Sequence, residues 1–567
     1  MKATEISRKK TDRYKVPAVI AICLAVFLLC LVLGNVSYET NDDEGLNLIA
    51  VGGYGKPVSQ YLVFINILYS LVLKGLFYLI PQVNWYLWLL LVFDLLGMIC
   101  VCTAAAKRLD RLSGIVFTLA MNLILYRDLY NAVQYTKSAM WYGAAGAALL
   151  YCAVKDDKGM RSGAAAGGAF FFFLSVLVRD LCAYISAVAF AAVIGIELLT
   201  DWIRSKKISV RGDYIKAVAV IALVIIGAQV AQKIGYSSNE WRYYFDLYDA
   251  RQELLDYGLP AYDREKFQEI GVSEISYTML EDWIFNDPEF FDLEKMEQIV
   301  AIKAAVPTYR LDSQILGRMA FYLKAAFDQF RTPYIFAGLG LILLILRKWK
   351  ALLVWAAQLA CIIAEYWYLC CVNRVVVRVV FGLWAIPITV VFMYTALQYK
   401  WEKNIPTKIV FVILAILMCL NAFRFAQNFV SNKHGQLADN RKSSTEAFID
   451  EINRRDDGFY IGNTDAFYRM ISGSPYRVNC EYEDFYENFA LIGGWEVSTP
   501  VGDYYLHERG IDNAMKALFE RDDVYYVDNS GSEMLILRYL QEIYDPKITM
   551  SQVDEICGFK VFKYSGG

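Results

Sequence analysis

The chain has 567 residues, of which 57% are hydrophobic and 15% aromatic, more apolar surface than a soluble protein can bury or tolerate. Its formal net charge of −3 hides two acidic blocks, so nucleic-acid binding, which needs a basic soluble surface, is excluded. The two histidines, His434 and His507, lie far downstream, which leaves no His-rich metal site and no His-based triad in the apolar part.

Lys2, Arg8, Lys9, Lys10, Arg13 and Lys15 precede an apolar run near 16–34, a length that matches a bilayer core. The basic start places the N-terminus in the cytoplasm. The exit Gly34-Asn35-Val36-Ser37-Tyr38 lacks a small-x-small cleavage site, so the run reads as an uncleaved signal anchor. Basic clusters at Lys107-Arg108, Lys155-Lys158, Arg204-Lys207, Arg347-Lys350 and Lys400-Lys403 mark further cytoplasmic turns. They bracket spans near 85–105, 113–127, 137–154, 162–179, 181–199, 214–232, 333–348, 351–370, 379–398 and 406–426. Residues 58–80 are laid along or partly into the outer face, with Lys74 reaching the interface, because one more crossing would turn every later cluster outward.

These eleven spans predict a polytopic α-helical protein of the plasma membrane with its C-terminus outside the cell. The chain divides into a membrane core at 1–236, an outer helical loop at 237–332, membrane helices at 333–427 and an outer domain at 428–567. The loop holds 18 acidic against 10 basic residues and the tail 24 against 14. Apolar positions spaced by three and four from Trp241 to Leu255 predict a helix in the loop. The tail opens with the capping box Ser443-Ser444-Thr445-Glu446, then shows strand-like runs at 458–462, 524–527 and 559–564 and a helix at 534–544, which reads as a small α/β or α+β domain. Cys480 and Cys557 share this outer block, and the oxidising side of the membrane would permit a disulfide.

Asn41-Asp42-Asp43-Glu44-Gly45 places three carboxylates just beyond the first span, suited to a general base, to a hard divalent cation or to plain solvation. Neighbouring side chains in an extended loop point apart, so one of the two aspartates faces the cavity; Asp43 is the first choice and Asp42 the second. Arg127, Arg179, Arg374 and Arg378 stand at the outer ends of spans, against the charge rule, where a guanidinium fork suits a phosphate. Ion pairs compete with that role, Arg127 with Asp128 and Arg179 with Asp180. Asp94 and Glu365 lie within spans, where pairing with Lys74 and with Arg374 or Arg378 would offset the cost of burial.

The acidic motif after the first helix, Gly55-Lys56-Pro57-Val58 behind it, and the juxtamembrane stretch with Gly75-Leu76-Phe77-Tyr78 resemble the GT-C class of integral-membrane glycosyltransferases. The match spans roughly the first 200 residues, and the His-Pro-Pro-Leu of the mannosyltransferase-like members is only loosely represented. Trp241, Tyr244, Arg251, Asp256-Tyr257 and Gly493-Gly494-Trp495 look like uncharacterised multi-pass proteins of bacterial surface-polysaccharide loci. The resemblance implies transfer of a sugar from a polyprenyl-phosphate donor to a cell-surface glycan or other acceptor on the outer face. It implies Asp43, Asp42 and Glu44 as catalytic residues, with Mg or Mn as a candidate cation on the same three, and the four arginines as donor contacts. A flippase for a lipid-linked glycan and a noncatalytic polysaccharide-assembly protein are the alternatives.

Overall fold

The computed structural model describes residues 15–55, 58–206, 212–304, 314–398, 422–423, 425–427, 443–455, 458–463 and 483–566. The first span is α1 (Lys15–Leu33). A two-residue strand β1 (Ser37–Tyr38) and helix α2 (Asn41–Val51) follow it, then α3 (Ile67–Leu79), α4 (Trp85–Ala106) and α5 (Arg111–Tyr126). A single π turn at Arg127–Asn131 leads to β2 (Ala132–Val133), which pairs in parallel with β1. Helices α6 (Tyr135–Val154), α7 (Gly163–Val178), α8 (Asp180–Ser205) and α9 (Gly212–Gly235) complete the first half.

Ten of the eleven expected spans have a helix over their residues. The expected span at 406–426 falls almost wholly outside the described residues. Seven described helices are long and apolar enough to cross a membrane: α1, α4, α5 with its π turn, α8, α9, and two later ones named below. Helix α3 has 13 residues, about 20 Å at 1.5 Å per residue, short of a hydrocarbon core of about 30 Å. Gly163–Val178 and Thr332–Ile345 are likewise apolar but shorter than the seven. Lys74 donates to Gln60, while Asp94 of α4 accepts from Ser138 Oγ at 2.9 Å, so the expected Lys74–Asp94 pair does not form.

Helix α6 is buried along its whole length and is the post around which the bundle is built. It is rich in Ala and Gly, which lets neighbouring backbones approach where larger side chains would hold them apart. A Cβ at Gly146 would lie 2.8 Å from Phe172 N of α7, and one at Gly168 would lie 2.8 Å from Leu150 N of α6. Near its outer end α6 buries Lys137, whose Nζ lies 2.6 Å from Glu39 Oε1 and 2.7 Å from Asp128 Oδ1. Two carboxylates offset the burial of one ammonium, and in doing so fasten the first outer loop to the π turn. Asp128 therefore pairs with Lys137 and not with Arg127.

The middle block contains α10 (Asn239–Leu255), α11 (Arg264–Glu269), α12 (Glu274–Glu281), α13 (Leu293–Ala304) and α14 (Ile315–Gln329). Membrane helices α15 (Thr332–Ile345), α16 (Trp349–Cys371) and α17 (Val377–Gln398) follow, the last two being the remaining spans. The tail starts at α18 (Ser444–Ile452) with both halves of the expected capping box in place. It continues through β3 (Phe459–Gly462), β4 (Phe489–Leu491), α19 (Tyr504–Glu508), α20 (Ala514–Glu520), β5 (Val524–Asp528), α21 (Glu533–Ile543), β6 (Thr549–Ile556) and β7 (Phe559–Ser565).

The five strands form one mixed sheet in the order β4-β3-β5-β7-β6, parallel for the first three and antiparallel for the last two. Strand β3 is buried throughout, as expected for a central parallel strand, and β6 is an exposed edge with a bulge between Gln552 and Asp554. Cys557 and Gly558 make the β6–β7 turn with φ of 51° and 86°, the pattern of a tight hairpin. Cys557 is exposed there, and Cys480 lies outside the described residues.

The middle block and the tail pack as one unit. Buried Asp287 accepts from Asn513 Nδ2 at 2.9 Å, Tyr539 Oη at 2.8 Å and Tyr544 Oη at 2.6 Å. Asp287→Ala would strand those donors at about 1–3 kcal/mol each where they stay buried. We expect it to separate the two blocks, seen as faster proteolysis between 256 and 300 while the membrane helices remain protected.

Candidate active site

Asn41 to Glu44 fold as the first turn of α2, where carboxylates meet the positive end of a helix. A helix turns about 100° per residue, so the triplet fans out in three directions. Asp42 faces a cleft between the membrane helices and the unit formed by the middle block and the tail. Asp43 points inward and is fully buried: its Oδ1 accepts from Tyr86 Oη and from the Tyr135 backbone N–H, both at 2.9 Å, and its Oδ2 accepts from Thr40 Oγ1 at 3.1 Å. Glu44 faces the C-terminal domain, with a buried Oε2 that has no hydrogen-bond partner among the described residues. The ordering expected for an extended loop, Asp43 before Asp42, is thus reversed by the helix.

Burial pushes all three carboxyls up. For Asp42 the rise is opposed chiefly by Arg378, then by Arg179. Asp43 reaches about 7 despite its hydrogen bonds, and Glu44 reaches about 8, with the charges of Asp43 and Glu446 adding to burial. Among the described residues no group of three His, Cys, Asp or Glu is placed to hold a metal ion. A divalent cation entering the cleft would meet Asp42 alone of this triplet.

The structure brings Arg179, Arg374 and Arg378 to the same cleft as Asp42. Arg179 precedes the first residue of α8, Arg378 is the second residue of α17, and Tyr135, which also lines the cleft, is the first of α6. Four helices, α2, α6, α8 and α17, therefore start at the cleft and direct their positive ends toward it. Arg378 Nη2 lies 3.3 Å from Asp42 Oδ2, and Arg374 Nη1 lies 2.8 Å from Asp256 Oδ2. Neither meets Glu365, which stays on α16, so the expected pair is absent.

Arg179 differs from both. Its guanidinium lies 5.4 Å from the centre of the Phe64 ring and 6.0 Å from that of Tyr135, and it makes neither an ion pair nor a hydrogen bond among the described residues. Asp180 instead accepts from Gln229 Nε2 at 2.6 Å. Two aromatic faces hold a cation in place without using any of its five donors. Arg127 is exposed in the π turn and does not reach the cleft.

The outer wall comes from residues far away in sequence. Helix α10 supplies Tyr248, Arg251 and Gln252, with Asp256 just beyond it; the segment after α12 supplies Trp283 and Phe285; the segment after β4 supplies Gly494 and Trp495. Trp495 packs on Phe64 with ring centroids 4.7 Å apart, and its carbonyl accepts from Tyr244 Oη at 2.8 Å. Because α2, the middle block and the tail all contribute walls, they meet at one end of the helix bundle.

Asp43→Asn is the control that separates position from charge. Its amide can still accept from Tyr86 and Tyr135, so the variant should fold and retain its cleft. The native carboxyl, near 7 when folded against about 3.9 when unfolded, favours folding below about pH 4, and that advantage is lost as the pH rises to 7. Above pH 7 the wild type buries a charge that Asn lacks. Thermal unfolding should therefore show the variant at least as stable as wild type at pH 8 and less favoured at pH 4.

No family model matches the sequence, and no curated protein matches it. Among solved structures the chain is similar to the crystal structure of ArnT from Cupriavidus metallidurans bound to undecaprenyl phosphate. The alignment has 12% identity and a TM-score of 0.39 and covers 96% of this chain and 97% of that one.

Proposed function

We propose that this membrane protein transfers a sugar from a polyprenyl-phosphate-linked donor to a hydroxyl of a cell-surface acceptor, in the cleft at the outer ends of its helices. The observation that carries the reading is the meeting of Asp42, the one carboxylate of the acidic triplet that faces the cleft, with three arginines of which Arg179 has all its donors free. Asp42 accepts the proton of the acceptor hydroxyl as its oxygen attacks the anomeric carbon. The bond from that carbon to the phosphate oxygen breaks, and its electron pair leaves with polyprenyl phosphate. The charge that develops on the leaving phosphate is met by Arg179 and by the helix ends. Arg378, bonded to Asp42, opposes the rise that burial imposes on that carboxyl. A single displacement inverts the anomeric configuration.

Binding is testable before any sugar is known. In native mass spectrometry, wild-type protein should retain one polyprenyl phosphate, and a variant with Arg179 and Arg378 both replaced by Ala should not. Equal retention by the two proteins would remove the phosphate from the cleft.

The proposal also places the acidic loop, the middle block and the tail outside the cell, supported by the basic residues on the opposite ends of the spans. A single cysteine at exposed Asp263 or Glu508, with Cys480 and Cys557 replaced, should react with a membrane-impermeant maleimide in intact cells. Protection of both until the cells are permeabilised would invert the topology.

A further inference from the structure

Trp283 follows α12 with a φ of 59°, a left-handed conformation that is rare for a bulky residue. The conformation closes α12, where Trp283 N donates to Leu280 O at 3.1 Å and Ile284 N to Met279 O at 2.8 Å, and the C-terminal domain fixes the segment that follows. Phe285 N and Asn286 N donate to Ile492 O at 3.2 and 2.9 Å, and Asn286 Nδ2 donates to Leu491 O at 2.9 Å. The Trp283 carbonyl sits so close to Gly493 that a Cβ there would lie 1.6 Å from its oxygen. Gly494, with φ of 101°, then turns the chain so that Trp495 also faces the cleft.

This turn leaves a large apolar ring in the open. The Trp283 side chain lines the cleft, the residue is 38% exposed, and its indole N–H has no partner among the described residues. Behind it stands Phe285, 6.4 Å away between ring centroids, and the Arg251 guanidinium lies 4.8 Å from the centre of the Phe285 ring. Beside it, Asp256 and Gln252 offer acceptors and donors. An aromatic face flanked by charged and amide groups fits a pyranose, whose C–H face packs on the ring while its hydroxyls bond the polar neighbours.

We infer that Trp283 is the stacking platform for a sugar ring in this cleft, and that Gly493-Gly494-Trp495, packed on its carbonyl, fixes the segment that carries it. The inference deepens the proposed function and rests on it. The sugar is either the donor's or the acceptor's, and the two are separable.

Full-length protein in nanodiscs would be titrated with methyl glycosides of glucose, mannose, galactose and N-acetylglucosamine, read by saturation-transfer NMR, and with polyprenyl phosphate and hexosyl polyprenyl phosphate. Wild type should pass saturation to at least one glycoside. Trp283→Phe should keep that signal, whereas Trp283→Ala and Trp283→Leu should weaken binding roughly three- to tenfold, the scale of one aromatic contact. Both non-aromatic variants should bind bare polyprenyl phosphate as wild type does, which also reports that the fold is intact. If the ring is the donor's, they bind hexosyl polyprenyl phosphate no better than the bare lipid. If it is the acceptor's, lipid affinities stay unchanged and only the glycoside signal falls. Undiminished glycoside signals in Trp283→Ala and Trp283→Leu, or none in a wild type that binds polyprenyl phosphate, would overturn the inference. Failure of wild type to bind polyprenyl phosphate would instead overturn the reading of function beneath it.

Discussion

Asp42→Asn is expected to lower transfer by on the order of 10²–10⁴-fold, the usual contribution of a positioned general base. The substitution keeps the shape of the side chain and a hydrogen bond to Arg378, so the cleft and donor binding should survive. Loss should therefore fall on kcat. The adjacent Asp43→Asn, which removes a charge of the same type one residue away, should retain most of the activity because its carboxylate is turned into the protein toward Tyr86 and Tyr135. The contrast between the pair is the informative result, since a role in solvation or packing would not distinguish them in this direction. Activity in the wild type should fall as the pH drops toward the raised titration point of Asp42, because the protonated acid cannot accept a proton.

Arg179 should give the largest effect on the donor. Its guanidinium is held by ring faces and has no anion to release, so a phosphate gains its donors without breaking an ion pair. Arg179→Ala should weaken donor binding by about 1.5–3 kcal/mol, the range for a hydrogen bond to a charged group. Arg179→Lys should recover only part of that, because an ammonium is a point charge without the planar fork. Arg374→Lys should lose less, since Arg374 already spends part of its fork on Asp256. Isothermal titration with polyprenyl phosphate would rank the three, and Arg127→Ala should match wild type.

Local patterns in this sequence translate well into structure, and long-range pairings do not. Apolar runs of helical length locate α1, α4, α8, α9, α16 and α17 within a few residues, because crossing a bilayer demands a continuous apolar stretch. The arginines stand out because cations at outer helix ends break the charge rule, and three of the four prove to share one cleft. The reversal of Asp42 and Asp43 was also legible. Thr40 ahead of a run of acids has the composition of a helix start, and a helix rather than an extended loop aims the second residue outward.

Other features have no local signature. The partners of Lys137 lie 98 and 9 residues away, and the donors to Asp287 lie more than 220 residues beyond it. Strand β6 is polar because it is a solvent-facing edge, and its turn uses Cys557-Gly558 in place of the more usual Asn-Gly. Trp283 carries no pattern at all until Gly493 is placed against its carbonyl.

The central claim is sugar transfer from a lipid phosphate, and the most direct measurement is mass spectrometry of surface glycans and of lipid-linked sugars in cells carrying wild type or Asp42→Asn. Transfer predicts that the variant's glycan lacks one sugar residue and that the singly glycosylated polyprenyl phosphate accumulates. An unchanged glycan, or accumulation of an intact multi-sugar lipid-linked unit, would contradict it.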